Sequence, residues 1–408
     1  MMTFLSKKRI LITGGTGHLG SALVHYLIQN LKMDPQNIFI FYLANTPAQS
    51  LRDIQGLKFI PGDIRQIEDV KRACEGMDYV FHVAGSTTFD PRQKASQWNI
   101  NVEGTRNVLE VLKQSSSIQK ICYTSTVNTL GVPNPLGSVG NLENSDPYIN
   151  RPRLHSFHSP EEILAFAELV RHKQLPDWEK KIGIGYFDSK LAAQELVLRY
   201  VREFGLNVVS VLPGTIFGPY DFLIGNGIYL LSIYHRQMPG VIKGGISAVH
   251  VTDAVEGHLL AMKSAEKGTR YIITGANEDN LFFKDMAAII AEILQKQFPG
   301  KRIRPPSFVF TRRMANMAAF FSELYSKLFH LPCLLSREAV KAGSAPLFYT
   351  YENAAKDLGY QPKRTFYQAI SEMVTYFRDE NLFEAKGRYL DPAAKKAQKQ
   401  RRSRFLSR

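Results

Sequence analysis

Cysteine is scarce in this sequence: Cys74, Cys122 and Cys333 are the only three among 408 residues. An odd number with no CxxC spacing argues against a disulfide framework or a cysteine zinc site, and fits a reducing, cytoplasmic compartment. Long apolar runs are missing too. No uninterrupted stretch reaches the ~20 residues a bilayer-spanning helix needs. The apolar run after Lys7, Lys8 and Arg9 stops at Gly14-Gly15, so no signal peptide is expected. There is no internal repeat and no long low-complexity linker. Acids are nearly absent from one segment: between Lys386 and Arg408 nine Lys or Arg stand against Asp391 alone, a net of +8 out of the chain's +14. The excess positive charge is therefore gathered largely in a tail, which reads as frayed or disordered. No RNA- or DNA-binding motif accompanies it, so nucleic acid is not an expected partner.

What is present is ordinary globular composition, 44% hydrophobic and 22% charged, with room for a sizeable core and two regions. The first half alternates short β-branched runs with helical patterns, which reads as repeated βα units around a mostly parallel sheet. Strands are expected over 9–12, 37–43, 57–60, 78–83, 118–124, 208–212 and 271–274. A helix should follow the first strand to about Leu31, and another should carry residues 101–112.

Directly after the first strand comes Thr13-Gly14-Gly15-Thr16-Gly17-His18-Leu19-Gly20. It satisfies both GxxGxxG and GxGxxG. Such a turn needs positive φ, a backbone that can approach a pyrophosphate, and a final glycine that lets helix pack on strand. The helix start then offers free N–H groups and a positive dipole end to the phosphates. All seven residues from Gly14 to Gly20 are therefore candidate cofactor contacts, for NAD or NADP. The acid expected ~20 residues further on, against the adenosine ribose, is missing. Tyr42-Leu43-Ala44-Asn45-Thr46 stands there, with Arg52 the first basic candidate, so the choice between NAD and NADP stays open.

Tyr186-Phe187-Asp188-Ser189-Lys190 is YxxxK. On a helix, i and i+4 share a face. A phenol near its reference pKa of ~10 is a poor base at neutral pH, and a neighbouring ammonium brings it towards the working range. Taken with the glycine loop, Gly62-Asp63-Ile64, His82-Val83-Ala84-Gly85, Asn101-Val102-Glu103-Gly104-Thr105, Tyr123-Thr124-Ser125-Thr126, Pro213-Gly214-Thr215-Ile216-Phe217-Gly218-Pro219 and His250-Val251-Thr252-Asp253, in that order along the chain, the sequence resembles the extended short-chain dehydrogenase/reductases. The likeness spans roughly residues 8–275 and runs more faintly to about 385.

The resemblance implies an α/β, doubly wound parallel-sheet Rossmann fold with a smaller, mostly helical C-terminal substrate-binding region. Residues 1–212, returning at about 241–275, would bind NAD(P); 213–240 and 276–385 would face the substrate. It implies that Asp63 and Ile64 hold the adenine, that Ala84 and Gly85 flank the middle of the cofactor, and that Lys190 binds the nicotinamide ribose. Pro213, Thr215 and Ile216 would lie by the carboxamide. Tyr186 would be the acid/base, with Thr126 bonding the substrate oxygen and Ser125 as its substitute. Asn101 reads either as part of a proton relay or as a helix turn, and His250 and Asp253 read as architecture.

Within the family, Val127-Asn128 stand where nucleotide-sugar 4,6-dehydratases carry an Asp-Glu pair. The Pro-Gly-Thr turn and residues 314–341 look most like 3β-hydroxysteroid dehydrogenase-like members, which implies a sterol-like or long-chain hydroxy or keto substrate. A nucleotide-sugar epimerase and a non-catalytic NAD(P)-binding protein are the alternatives. Sixty residues separate Thr126 from Tyr186, more than is usual in the family. The extra segment at 133–181, with a helix expected from Ser159-Pro160-Glu161-Glu162, reads as a lid or as a surface insertion. Met317, Phe320, Phe321, Leu324, Leu328 and Leu331 form an apolar stripe. It reads either as core packing against the cofactor domain or as an interfacial helix on an anionic membrane, given Arg302, Arg304, Arg312, Arg313 and the basic tail. A homodimer is left open.

Overall fold

A computed structural model describes residues 3–133, 139–141, 145–146, 184–329, 333 and 335–384. The expected segment at 133–181, its helix at Ser159 and the tail at 386–408 lie almost wholly outside these residues.

Seven strands form one all-parallel sheet: β1 (Ile10–Thr13), β2 (Ile38–Tyr42), β3 (Lys58–Pro61), β4 (Tyr79–His82), β5 (Lys120–Thr124), β6 (Val208–Pro213) and, far along the chain, Arg270–Ile273. Their spatial order is the last strand, then β6, β5, β4, β1, β2 and β3. The order reverses direction between β1 and β4, so the crevice at their carboxyl ends is where a nucleotide is held in such sheets. β1, β5 and β6 are buried along their whole length because helices cover both faces, which is why they read as continuous apolar runs rather than alternating ones. The cover comes from α1 (His18–Gln29), α2 (Ile67–Cys74), a helix running from α3 (Lys94–Trp98) into α4 (Gly104–Gln114), α5 (Gly185–Phe204) and a later helix, Val251–Ser264.

All seven expected strands are present, each within two residues of its expected ends at most positions. The second sheet was not expected. β7 (Thr215–Phe217) and β8 (Gly240–Ile242) precede β9 (Gly245–His250). β9 pairs in parallel with β7 and with Pro346–Leu347, and antiparallel with Asn280–Phe282. With β10 denoting Arg270–Ile273 and β11 Asn280–Phe282, β12 (Phe308–Phe310) pairs with β8, and β13 is Pro346–Leu347. Around them lie α6 (Gly227–Tyr234), α7 (Val251–Ser264), α8 (Phe283–Gln297), α9 (Arg312–Phe329), α10 (Arg337–Ala342), α11 (Glu352–Leu358) and α12 (Phe366–Asp379).

The apolar stripe corrects one reading. It forms a helix, α9, but the core-packing alternative fails: Met317, Phe321 and Leu328 are 60%, 60% and 65% exposed, and the buried residues are Ala315, Ala319 and Ser326. The helix rests on the body by its small side chains and turns its large ones outward. Leu331 lies outside the described residues.

Candidate active site

The loop after β1 shows what each glycine is for. Gly14 has φ of 68°, and a Cβ there would sit 2.8 Å from the Ala84 Cα. A Cβ on Gly15 would meet the Ile40 side chain at 2.8 Å, and one on Gly20 would come within 2.3 Å of the Gly14 carbonyl oxygen, so this last residue must be glycine for α1 to pack on the loop. Gly17 is different. Its φ of −80° is ordinary, and the nearest atom to a Cβ is the Gly14 oxygen at 3.3 Å. It stands at the N-cap of α1, whose first-turn amides lack intrahelical partners. The fold constrains position 17 less tightly than Gly14, Gly15 or Gly20, and the helix start it caps is suited to a phosphate. Thr16 and Leu19 are buried beside it. The ring of His18 faces the Gly218 and Pro219 carbonyls, and burial lowers its pKa.

A buried network ties this loop to β4. Thr105 donates its hydroxyl to the Asn101 carbonyl (2.6 Å), so it accepts from His82 Nε2 (3.0 Å). His82 Nδ1 then accepts from the Thr13 hydroxyl (2.9 Å), which in turn accepts from the Ala84 amide (3.2 Å). Burial, helped by nearby Lys190, pushes the His82 pKa down to about 3, consistent with this neutral tautomer. The chain of bonds holds Ala84 against Gly14.

Gly85 opens onto the next cluster: a Cβ there would lie 3.2 Å from Asn101 Oδ1 and 3.8 Å from Lys190 Nζ. Asn101 sits in a π-helical turn, Asn99–Glu103, between α3 and α4. Such single wide turns recur at functional sites, because the extra residue rotates a side chain out of helical register. Asn101 Oδ1 accepts from the Ser86 amide (2.8 Å), and Nδ2 donates to the Ser86 carbonyl (3.0 Å) and to Ser189 Oγ (2.9 Å).

Helix α5 carries Tyr186 and Lys190 on one buried face. Burial pushes the Tyr186 phenol up to about 12, opposed by a hydrogen bond with the Thr126 side chain. Burial also pushes Lys190 down to about 7. Its ammonium donates to the Thr124 carbonyl (2.7 Å) and lies 4.9 Å from the Tyr123 ring centre. Thr126, not Ser125, is therefore the hydroxyl brought to Tyr186. Ser125 is 3% exposed and its Oγ has no hydrogen-bond partner. An orphaned buried hydroxyl beside the cluster is what a site awaiting a ligand leaves behind. β6 ends at Pro213 next to Ser125, whose amide bonds to Val211 (2.7 Å), and Thr215 and Ile216 follow in β7.

The adenosine end is less clear-cut. Ile64 is buried in the core, and its carbonyl takes the Asn107 amide (2.9 Å). The Asp63 carboxylate is gripped by the Arg65 guanidinium, which, as the leading cause, lowers its pKa. Ala44 and Asn45 are exposed past β2. Arg52 is held by Glu380 at 2.7 Å and by Asp53 at 3.4 Å. The nearby Ser50 hydroxyl meets the Tyr376 hydroxyl at 2.9 Å. His250 caps α7 and meets Glu372 (3.1 Å), and Asp253 accepts from the Lys363 and Arg364 amides (3.1 and 3.0 Å). Both are fastenings between regions.

Several residues of the site had no signal in the sequence. The Phe89 ring stands 5.7 Å from that of Tyr186 and 6.2 Å from that of Phe187, both edge-on. Val127, Leu130, Leu347 and Tyr349 complete an apolar cluster around Tyr186. Glu338 of α10 accepts the Gly185 amide at 2.8 Å and pairs with Lys94. It thus fixes the start of the helix on which Tyr186 stands, from 153 residues away.

Two family models divide this arrangement between them. The 3-beta hydroxysteroid dehydrogenase/isomerase family matches residues 11–155, from the glycine loop past Thr126. The NAD dependent epimerase/dehydratase family matches residues 176–274, from before Tyr186 through β10. Between them the two models bear out the likeness to the extended short-chain dehydrogenase/reductases. The chain is an NAD(P)-dependent oxidoreductase. A 3-beta-hydroxysteroid dehydrogenase of Mycolicibacterium neoaurum is 23% identical over 91% of this chain and 92% of its own. Anthocyanidin reductase of Arabidopsis thaliana is 25% identical over 68% of this chain and 78% of its own. Among solved structures, a nucleoside-diphosphate-sugar epimerase from Pseudomonas aeruginosa is 20% identical, with a TM-score of 0.65 over 91% of this chain and 97% of that one. The likeness in fold thus extends over nearly all of the chain.

Proposed function

We propose that this enzyme interconverts a hydroxyl and a keto group on a hydrophobic substrate of the sterol-like or long-chain class. The observation that carries the reading is the setting of Tyr186: a buried phenol bonded to Thr126, above Lys190, inside a wall formed by Phe89, Phe187, Leu347 and Tyr349. An apolar wall favours an apolar substrate, and the similar steroid dehydrogenase and anthocyanidin reductase carry names of polycyclic substrates.

NAD(P), when bound, supplies or accepts the hydride. The residues suited to hold it are Gly14, Gly15, Thr16, Gly17, His18, Leu19 and Gly20 through the backbone at the helix start, Asp63 and Ile64 at the adenine, Ala84 and Gly85 along the middle, and Pro213, Thr215 and Ile216 past β6. Thr126 donates to the substrate oxygen or accepts from it, and so aligns that oxygen with the Tyr186 hydroxyl. Tyr186 gives its proton to a carbonyl oxygen in reduction and takes it back in oxidation. Lys190, protonated, stabilises the phenolate that remains and reaches the ribose hydroxyls. Ser125 is the substitute for Thr126. Residues 213–240 and 276–385 form the substrate side.

A nucleotide-sugar epimerase would use the same Tyr186 and Thr126, and the solved epimerase shares the fold. Incubating purified protein with sterols, long-chain keto compounds or UDP-sugars, while following nicotinamide absorbance and products, separates the two. Net cofactor turnover with an apolar ketone or alcohol supports the reading. A C4-epimerised sugar without net cofactor change replaces it.

A further inference from the structure

Helix α9 presents an unusual surface. Met317, Phe320, Phe321, Leu324, Leu328 and Phe329 are each 42–65% exposed, on one contiguous side. Phe308 and Val309 of β12, 46% and 40% exposed, extend the patch just ahead of the helix. So much large apolar surface marks a contact with something.

Charge indicates what that something is. The one acid in α9, Glu323, is turned back to α10, where its carboxylate takes the Arg337 amide (2.7 Å) and guanidinium (2.9 Å). The exposed charges of the helix are Arg312, Arg313 and Lys327, one group at each end. Ser307, immediately before the exposed strand, lines a cavity of about 330 Å3 whose rim carries Arg236, Arg302 and Arg304. An apolar strip whose exposed charges, among the described residues of α9 and the adjacent cavity, are cations complements a surface that is apolar within and anionic outside. A second copy suits it poorly. Antiparallel pairing would set Arg312 and Arg313 against Lys327 of the copy, and parallel pairing would set like against like, with no carboxylate between them.

We propose that this face docks on an anionic lipid bilayer. Helix α9 lies in the interface with its aromatic and aliphatic side chains in the acyl boundary, and Arg236, Arg302 and Arg304 contact lipid phosphates. Among the described residues no helix is long and apolar enough to cross a membrane, so the contact is peripheral. The docked face leads to the site. α10 follows α9, Ser336 donates to the Phe89 carbonyl (2.6 Å), and Glu338 holds Gly185 beside Tyr186. An apolar substrate dissolved in the bilayer would enter beside Phe89. That last step rests on the oxidoreductase reading; the docking does not.

The test uses the full chain, without substrate or cofactor, in sedimentation with vesicles of phosphatidylcholine alone or mixed with phosphatidylserine. Binding is expected with the mixed vesicles at low salt, falling as salt screens the headgroups. Phe321→Glu with Leu328→Glu should weaken partitioning at least about tenfold, with melting and cofactor binding unchanged because both side chains are exposed. Arg302→Glu with Arg304→Glu should remove most of the preference for phosphatidylserine. No binding to mixed vesicles would overturn the proposal. So would binding that ignores the α9 pair but disappears when residues 386–408 are removed, which would assign the contact to the tail. A dimer in light scattering that the α9 pair dissolves would assign the face to a second copy. Because the readout needs no turnover, its failure is separable from failure of the proposed reaction.

Discussion

Burial shifts Tyr186 and Lys190 in opposite directions, the phenol up to about 12 and the amine down to about 7, because a low dielectric disfavours whichever form is charged. Both shifts favour the neutral forms, and an anion or a developing alkoxide nearby would favour the Lys190 ammonium. Tyr186→Phe removes the transferable proton alone; turnover should fall about 10²–10⁴-fold while cofactor affinity, read by fluorescence titration, stays near wild type. Wild-type turnover in that variant would refute the scheme. Thr126→Val should cost more turnover than Ser125→Ala, since Thr126 is the hydroxyl bonded to Tyr186; the opposite ranking would transfer the role to Ser125. Lys190 also carries a stability consequence. Its folded pKa is depressed, so the burial penalty is complete below pH 7 and disappears as pH rises towards the unfolded value near ~10.4. Lys190→Met should therefore be inactive yet more stable at pH 7, by on the order of 1 kcal/mol once the lost bond to Thr124 is set against the gain. The difference in melting temperature should close towards pH 10. A gap that widens with pH would contradict the assigned shift.

Two glycines of one loop should respond to substitution in different ways. Gly17→Leu should abolish binding of NAD and NADP with a smaller loss of melting temperature than Gly20→Ala, since its φ is ordinary and its Cβ would meet a single backbone oxygen, at 3.3 Å. Gly20→Ala should lower the melting temperature itself, because its Cβ meets backbone at 2.3 Å. Identical behaviour of the two would mean that Gly17 does not face a ligand. Much of this element was legible in advance: the strand, the glycine spacing and the amphipathic helix form one local signal. The seven parallel strands were legible for a similar reason, as Ile10–Thr13 and Val208–Pro213 are apolar throughout. The second sheet was not. Thr215–Phe217 and Pro346–Leu347 are three and two residues long, and their pairing is set by partners distant in sequence. The π-turn at Asn101 has no compositional mark. Periodicity showed that Phe321 and Leu328 share a face but not what the face meets, so the outward turn of α9 had to come from the structure. Phe89 reaches Tyr186, and Glu338 reaches Gly185 beside it, only by tertiary folding.

At the scale of the whole molecule, the C-terminal core and the core beneath α1 are joined through β9, where adjacent residues serve different sides: Ala248 packs in the former and Val249 in the latter. Residues 335–384 contribute Ala354 and Tyr360 to the core beneath α1 and Phe366 and Phe377 to the C-terminal core. Calorimetry should therefore show one cooperative transition, moved upward by saturating cofactor; two separate transitions would show that the cores melt independently. The fastening of Arg52 to Glu380 and of Ser50 to Tyr376 has a different consequence. The loop after β2, the place where Rossmann folds receive the adenosine ribose, is leashed to the end of the chain's C-terminal helix, more than three hundred residues further along. With Arg52 as the group that meets a 2′-phosphate, discrimination between the two nicotinamide dinucleotides would be exercised remotely, because the phosphate would compete with Glu380 for the same guanidinium. Glu380→Gln should release Arg52 and raise NADP affinity relative to NAD several-fold, read from paired titrations, with Arg52→Ala cancelling the gain. The C-terminal helix would then act as a selector for a ligand it never touches.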